Sequence, residues 1–149
     1  FSLSLSVAGQ DEQPANGMLW WKYDSFKGLS ILLVEDNLLN AMITTAMLED
    51  AQISVTWAKN GREAIEKFSP GAFHLVFMDL SMPEMDGFET TRQLRKLDAK
   101  IPVIAVTATI ASDVISKAKD AGITDILVKP FEPGDLYAKI RNHSDSPVL

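Results

Sequence analysis

The sequence predicts an α/β fold in which five parallel strands form one sheet with helices on both of its faces. Five short apolar runs recur between residues 29 and 129, and each is followed by a segment with helical character. Several of these runs are continuously apolar rather than alternating, which is typical of strands buried on both faces of a parallel sheet. The strict alternation of the two kinds of segment favours a doubly wound sheet with right-handed crossovers.

The first two strand–helix units open this region. The first strand is LSILLVE at 29–35, and ISVTWA at 53–58 is the second. Asn37 is suited to cap the helix between them, because its side chain accepts hydrogen bonds from the first turn. The apolar residues of this helix are expected to form its buried stripe: Leu38, Leu39, Met42, Ile43, Ala46, Met47 and Leu48. After an Asn-Gly turn, residues 62–68 form a short second helix.

Three further units complete the region. The last three strands are predicted at 74–79, 102–107 and 124–129. The helices that follow them are predicted at 87–97, 112–122 and 133–142. We expect Phe88, Leu94 and Leu97 of the third helix to face inward. Ser112 is expected to cap the fourth helix and Gly122 to end it, because glycine readily adopts the left-handed conformation of a C-cap.

Composition excludes several classes of function. The 149 residues are 46% hydrophobic and 23% charged, which is ordinary for a globular domain. There is no cysteine, so disulfides, thiolate metal sites and a cysteine nucleophile are excluded. The net charge of −6 argues against a nucleic-acid partner and is compatible with an acidic metal-binding pocket. We find no signal peptide and no bilayer-length apolar run, and we expect a cytoplasmic chain without direct membrane contact.

Polar residues collect at the carboxyl ends of the predicted strands, where open parallel sheets bind ligands. The first strand ends in Glu35-Asp36, the third in Asp79, the fourth in Thr107 and the fifth in Lys129. In the flavodoxin-like strand order 2-1-3-4-5, the first and third strands are neighbours, so the three carboxylates lie side by side. Such carboxylates repel one another by about 4 kcal/mol per pair at an effective dielectric near 20, so they hold a proton or a cation. Because the ligands on offer are oxygens, Mg²⁺ is the natural cation.

Four short motifs carry a resemblance to a known family. In chain order they are LLVEDN, MDLSMPEMDG, VTA and VKPF. Together they resemble the receiver domain of two-component response regulators over residues 28–142. The wording VEDN and MDLSMPEMDGFE is most similar to receivers of hybrid sensor histidine kinases.

The resemblance implies a role for each acidic residue. Asp79 would accept a phosphoryl group from a phospho-histidine and form an acyl phosphate with Mg²⁺ present. Asp36 and Asp79 would ligate Mg²⁺ directly, and Glu35 would do so directly or through water. The main-chain carbonyl of Ser81 is expected as a further ligand.

The resemblance also implies roles for residues of the fourth and fifth strands. Lys129 would pair with a phosphoryl oxygen, and the Thr107 hydroxyl would bind another oxygen. The Lys129–Pro130 bond is expected to be cis, as is typical of the family, which would help aim the lysine. Many family members place an aromatic switch residue where Ile126 stands here, so this chain has only the threonine half of that switch. We therefore expect phosphorylation to change the loop at 107–112 and the face formed by the fourth helix, fifth strand and fifth helix.

The expected partner is a histidine kinase or phosphotransfer domain that carries the phospho-histidine. Neither histidine of this chain lies in the helical context of a phosphorylation site, because His74 begins a strand and His143 lies in the tail. The family pattern is also compatible with a homodimer through the face formed by the fourth helix, fifth strand and fifth helix.

The two ends of the chain lie outside the receiver-like region. Residues 1–8 resemble the last strand of a histidine-kinase ATP-binding domain, with an unrelated leader as the alternative. Residues 9–27 are predicted as a linker and 143–149 as a tail. The linker ends in the aromatic-rich stretch 18–27, which is too apolar for a free tether, so it either packs on a neighbouring surface or binds a partner. We expect the chain to be the C-terminal part of a hybrid sensor histidine kinase.

Three alternative functions differ from this prediction in class. A stand-alone response regulator would drive a DNA-binding output, but nothing after residue 142 can form a helix-turn-helix. A pseudo-receiver would bind partners without phosphorylation, although such modules need not keep the full set of site residues. An enzyme is disfavoured because phosphate-loop and dinucleotide motifs are absent, and a dehalogenase-type phosphatase would need an aspartate where Ser81 stands. The receiver itself is not expected to be a turnover enzyme.

Overall fold

A computed structural model describes residues 26–80 and 86–143, in which strands and helices alternate as predicted. The elements are β1 Ser30–Val34, α1 Leu38–Asp50, β2 Ser54–Ala58, α2 Gly61–Lys67, β3 Leu75–Asp79, α3 Gly87–Leu97, β4 Val103–Thr107, α4 Ser112–Ala121, β5 Asp125–Val128 and α5 Pro133–His143. Within these ranges no helix is both long and apolar enough to cross a membrane. The strand predicted at 1–8, nearly all of the linker, Ser81 and most of the tail lie outside the described residues.

The five strands form one parallel sheet in the order β2-β1-β3-β4-β5, which confirms the predicted flavodoxin-like topology. β1 lies between β2 and β3, and its register pairs Val34 with Met78. Glu35 follows Val34 directly after the end of β1, and Asp79 follows Met78 at the end of β3. The strand order therefore brings two acidic residues together at the switch point of the sheet.

Two apolar clusters cover the two faces of the sheet, because successive residues of each strand point to opposite sides. One cluster joins Leu33 and Phe77 to residues of α1 and α5. The other joins Leu32 and Val76 to residues of α2 and α3, including the buried Leu94. This arrangement confirms the three-layer packing expected for a doubly wound sheet.

Helix ends agree with the predictions at two of three positions. The Asn37 side chain accepts a hydrogen bond from the backbone N–H of Asn40 at 2.9 Å and caps α1. Gly122 ends α4 with a φ of +93°. The prediction for Ser112 is wrong, because Ser112 already lies inside the helix. The N-cap is Ala111, whose side chain makes no capping hydrogen bond.

The buried stripe predicted for α1 is the main disagreement between sequence and structure. The fully buried positions of α1 are Ala41 and Leu48. Four of the residues predicted to be inside are between 48% and 64% exposed, and we call them the α1 apolar face: Leu38, Leu39, Met42 and Ile43. The helix is apolar on nearly every side, so its periodicity does not select the side that meets the sheet. Leu97 at the end of α3 is likewise 47% exposed, against the prediction.

Candidate functional site

Three carboxylates meet at the C-terminal ends of β1 and β3. Glu35 and Asp36 follow β1, Asp79 ends β3, and one oxygen of each lies within 4.8 Å of the other two. Glu35 and Asp79 are 5% and 4% exposed, whereas Asp36 is exposed. The structure thus brings together the three acidic residues that the sequence placed at this edge. The exposed position of Asp36 leaves one side of the cluster accessible from solvent.

In the described part of the chain, the ammonium group of Lys129, the residue after β5, faces this cluster. The Lys129 Nζ lies 3.9 Å from Glu35 Oε1 and 3.9 Å from Asp79 Oδ1. The Lys129–Pro130 peptide bond is cis, as predicted. The backbone N–H of Lys129 donates to the Thr107 carbonyl at 2.8 Å, which holds the start of this loop against β4. One positive charge opposite three carboxylates leaves an excess of negative charge when all three are ionised.

Thr107 ends β4 at the same edge of the sheet. Asp79 pairs in register with Val106, so Thr107 lies one residue further along the neighbouring strand. Its hydroxyl donates to the Thr109 carbonyl at 3.1 Å and accepts from the Thr109 N–H at 3.3 Å. Ile126 on β5 is half-buried and pairs in register with Ala105, which lies two residues before Thr107 on β4. Ser81 lies outside the described residues.

Glu35 is the acidic residue whose titration the site changes most clearly. Burial raises the pKa of Glu35 from 4.5 to about 7, and the charge of Asp79 adds to the rise. The Lys129 ammonium and the Asn37 N–H, which donates to Glu35 Oε2 at 3.3 Å, oppose the rise. Without a cation, Glu35 is therefore about half protonated near neutral pH.

The raised pKa of Glu35 predicts a specific dependence of stability on pH. Without divalent cations, the folded protein keeps the Glu35 proton in a range where the unfolded chain has lost it. The free energy of unfolding should therefore fall by about 3 kcal/mol as pH rises from about 4.5 to about 8. The measurement is urea unfolding across this range for the wild type and for Glu35→Gln, in a chelating buffer.

The difference between these two proteins isolates Glu35 from the other titrating groups. As pH rises, the free energy of unfolding of Glu35→Gln should increase relative to that of the wild type, because glutamine carries no charge at either end of the range. A gap that stays constant with pH would contradict the raised pKa. Adding Mg²⁺ should narrow the gap at high pH, since a bound cation replaces the proton in offsetting the buried charge.

Trp57 is a residue of the site that sequence reasoning missed. Its indole Nε1 donates to the Glu35 backbone carbonyl at 2.7 Å, and the Glu35 N–H donates to the Ala58 carbonyl at 3.0 Å. β2 thereby holds the backbone of Glu35 through both of its polar groups. No spacing or motif signalled this contact, since a tryptophan within a strand is usually a packing residue.

Comparison with known proteins agrees with this geometry. The family model described as the response regulator receiver domain matches residues 31–141. LuxQ, the autoinducer 2 sensor kinase/phosphatase of Vibrio vulnificus, is 37% identical over 115 residues. The match covers 76% of this chain and 13% of that protein, so this chain spans a small part of the length of its relative.

Two solved structures share the fold at similar identity. The receiver domain of the sensor histidine kinase PA1611 from Pseudomonas aeruginosa has magnesium ion coordinated in its active site cleft. It is 31% identical with a TM-score of 0.74, and the match covers 80% of this chain and 99% of that chain. The second structure is the receiver domain of the Saccharomyces cerevisiae response regulator Ssk1, co-crystallised with the histidine phosphotransfer signaling protein Ypd1. It is 32% identical with a TM-score of 0.74, and the match covers 83% of this chain and 94% of that chain. The chain therefore belongs to the family of response regulator receiver domains of two-component signalling and is related to the receivers of sensor kinases.

Proposed function

We propose that this chain accepts a phosphoryl group on Asp79 from a phospho-histidine. The observation that carries the proposal is the position of the Asp79 carboxylate. It ends a central strand, lies within 4.8 Å of two further carboxylates and faces the Lys129 ammonium at 3.9 Å. Phosphoryl transfer depends mainly on positioning and on neutralising charge, and this arrangement supplies both.

In the proposed reaction, a carboxylate oxygen of Asp79 attacks the phosphorus and forms an acyl phosphate. The bond from the imidazole nitrogen to phosphorus breaks, the nitrogen keeps the electron pair, and the histidine recovers its neutral form by taking up a proton. Lys129 offsets the charge of the phosphoryl oxygens. Thr107 exchanges its hydrogen bond to the Thr109 carbonyl for one to a phosphoryl oxygen, which would move the loop that follows β4.

The acidic cluster also suits Mg²⁺. Its donors are all carboxylate oxygens, its charge exceeds that of Lys129, and the exposed Asp36 leaves room for water ligands. Glu35, Asp36 and Asp79 would hold the ion, and we propose the Ser81 carbonyl as a further ligand. When bound, Mg²⁺ supplies charge neutralisation for the acyl phosphate oxygens. The magnesium ion coordinated in the PA1611 receiver supports this choice of cation.

The proposed partner is a protein that carries the phospho-histidine and docks on the α1 apolar face. Ile43 lines the same cavity as Glu35 and Asp79, so a protein seated on this face would lie beside the acceptor. Four large exposed apolar side chains on one helix are unusual unless they form a contact surface. The co-crystal of a related receiver with a histidine phosphotransfer protein supports this class of partner.

We further propose that the parent protein is a hybrid sensor histidine kinase, with residues 1–8 from the end of its kinase domain. The relatives that are sensor kinases support this context. A homodimer through α4, β5 and α5 stays a prediction. The exposed Ile115 on α4 and Val128 on β5 are compatible with it.

Intact mass spectrometry after incubation with Mg²⁺ and acetyl phosphate tests the proposed acceptor. The wild type should gain one phosphoryl group, and Asp79→Asn should gain none, because an amide cannot form the acyl phosphate. The matched control is Asp120→Asn on the exposed end of α4, which should gain the group at the wild-type rate.

Phosphorylation of Asp79→Asn at the wild-type rate would show that another residue is the acceptor. If all three proteins bind Mg²⁺ and stay unmodified by both acetyl phosphate and a phosphorylated histidine phosphotransfer protein, the pseudo-receiver alternative replaces the proposal.

A further inference from the structure

A cavity of about 440 Å³ lies between α1 and the loop into α5. Glu35, Asp79 and Lys129 are among its lining residues, so it adjoins the acidic cluster. Most of the remaining wall is apolar and includes Leu33, Ile43, Met47, Phe77, Val106 and Leu136. Protein interiors are normally close-packed, and apolar walls around open space lose the contacts that packing would provide. This cavity therefore suits an apolar occupant.

The chain enters the described structure beside this cavity. Phe26, the first described residue, is 2% exposed and stacks on the Tyr137 ring with 6.0 Å between the ring centroids. The Tyr137 hydroxyl donates to the Met47 carbonyl at 2.6 Å, which ties α5 to α1. Met47 and Leu136, the neighbour of Tyr137, both line the cavity. Phe26 therefore packs on α5 next to the point where α5 is tied to α1.

The sequence just before Phe26 is rich in apolar and aromatic side chains, which suit the apolar walls of the cavity. Residues 18–23, MLWWKY, contain five apolar or aromatic side chains in six positions. Trp20 lies six residues before Phe26, which allows about 20 Å of extended chain. β1 is five residues long, or about 17 Å, and its last two residues, Leu33 and Val34, line the cavity. The extended chain before Phe26 is therefore long enough for the two indoles to reach the cavity.

We propose that residues 18–23 of this chain occupy the cavity between α1 and α5, with Trp20 and Trp21 as the side chains that fill it. Each indole would remove a large apolar surface from water and would cover the cavity side of Ile43. The segment is tethered to the wall it binds, so its effective concentration there is high.

Fluorine NMR of the full chain labelled with 5-fluorotryptophan tests the docking. The chain contains three tryptophans, at positions 20, 21 and 57, and replacing each with phenylalanine assigns its signal. In the wild type, the Trp20 and Trp21 signals should differ from those of a synthetic peptide of residues 16–25. Ile43→Glu should move both toward the peptide values, because a charged side chain would enter the wall of the cavity.

The matched control is Leu97→Glu, an exposed leucine on α3 with 47% exposure, close to the 48% of Ile43. This variant should leave both signals unchanged. A second measurement does not depend on how Ile43→Glu folds. The double variant Trp20→Ala/Trp21→Ala should speed hydrogen exchange of the α1 amides several-fold, whereas Phe1→Ala/Leu3→Ala should not.

Peptide-like signals for Trp20 and Trp21, together with unchanged exchange in α1, would overturn the docking. So would signals that move with protein concentration, since these would place a second copy in the cavity. Mass spectrometry with acetyl phosphate on Trp20→Ala/Trp21→Ala, in which no indole fills the cavity, reports the proposed function separately. A wild type with peptide-like indoles would overturn the docking alone, and a double variant that stays unphosphorylated would overturn the acceptor role alone.

Discussion

Replacing Lys129 with methionine is expected to slow phosphorylation of Asp79 by acetyl phosphate about a hundredfold to a thousandfold. The Lys129 ammonium is 3.9 Å from the carboxylates of Asp79 and Glu35. Methionine keeps most of the side-chain volume but removes the positive charge that would offset the incoming phosphoryl oxygens. The measurement is the initial rate of phosphoryl gain by intact mass at saturating Mg²⁺.

Lys117→Met is the matched control, because Lys117 is an exposed lysine on α4. It should phosphorylate at the wild-type rate. The two variants change the net charge equally, so a difference between them measures position rather than total charge. A rate loss of only a few-fold for Lys129→Met would mean that Lys129 is not the main source of charge neutralisation.

Replacing Gly87 with alanine is expected to disturb the acceptor strand itself. A Cβ built on Gly87 would press on the backbone carbonyl oxygen of Asp79 and lie 2.8 Å from the Leu80 Cα. These are backbone atoms, so relief requires a shift of β3 or of the start of α3. We expect a loss of about 1–3 kcal/mol in the free energy of unfolding and slower phosphorylation of Asp79. Urea unfolding and the mass assay measure the two effects.

Gly134→Ala is the control for the backbone effect of a glycine replacement. A Cβ on Gly134, in the first turn of α5, would meet no heavy atom of the described residues within 4 Å apart from its own helix and chain neighbours. It should leave phosphorylation unchanged and should not destabilise the protein, since alanine is the better helix former. Equal stability of Gly87→Ala and wild type would show that α3 can move away from Asp79 without cost.

The order of elements and the identity of the site could be predicted from local features. The apolar runs mark the strands, and a cap such as Asn37 marks a helix start from within its own turn. The strict alternation of strands and helices predicted a doubly wound sheet, and strand adjacency followed from its flavodoxin-like order. Glu35, Asp79, Thr107 and Lys129 were accordingly placed at one edge before any distance was known.

The packing of α1 could not be predicted in the same way. Ala41 and Leu48 of α1 pack into the core, whereas Leu39 and Ile43 stay exposed. Ile43 borders the cavity beside α1 and so is not covered by the core. Arg95 was also missed. Its guanidinium donates to the carbonyls of Gly122 at 2.7 Å and Ile101 at 2.7 Å, joining α3 to the end of α4. An arginine on a polar helix carries no local sign of such contacts.

The sequence by itself determined which segments are strands, that they form a doubly wound parallel sheet, and which side chains stand at their carboxyl ends. These properties follow from local periodicity and from chain connectivity. Only the tertiary structure decided the pKa of Glu35, the hold of Trp57 on its backbone and the side of α1 that remains uncovered. Each of these depends on groups far apart in the chain, and their distance and burial arise only when the sheet and its helices pack together.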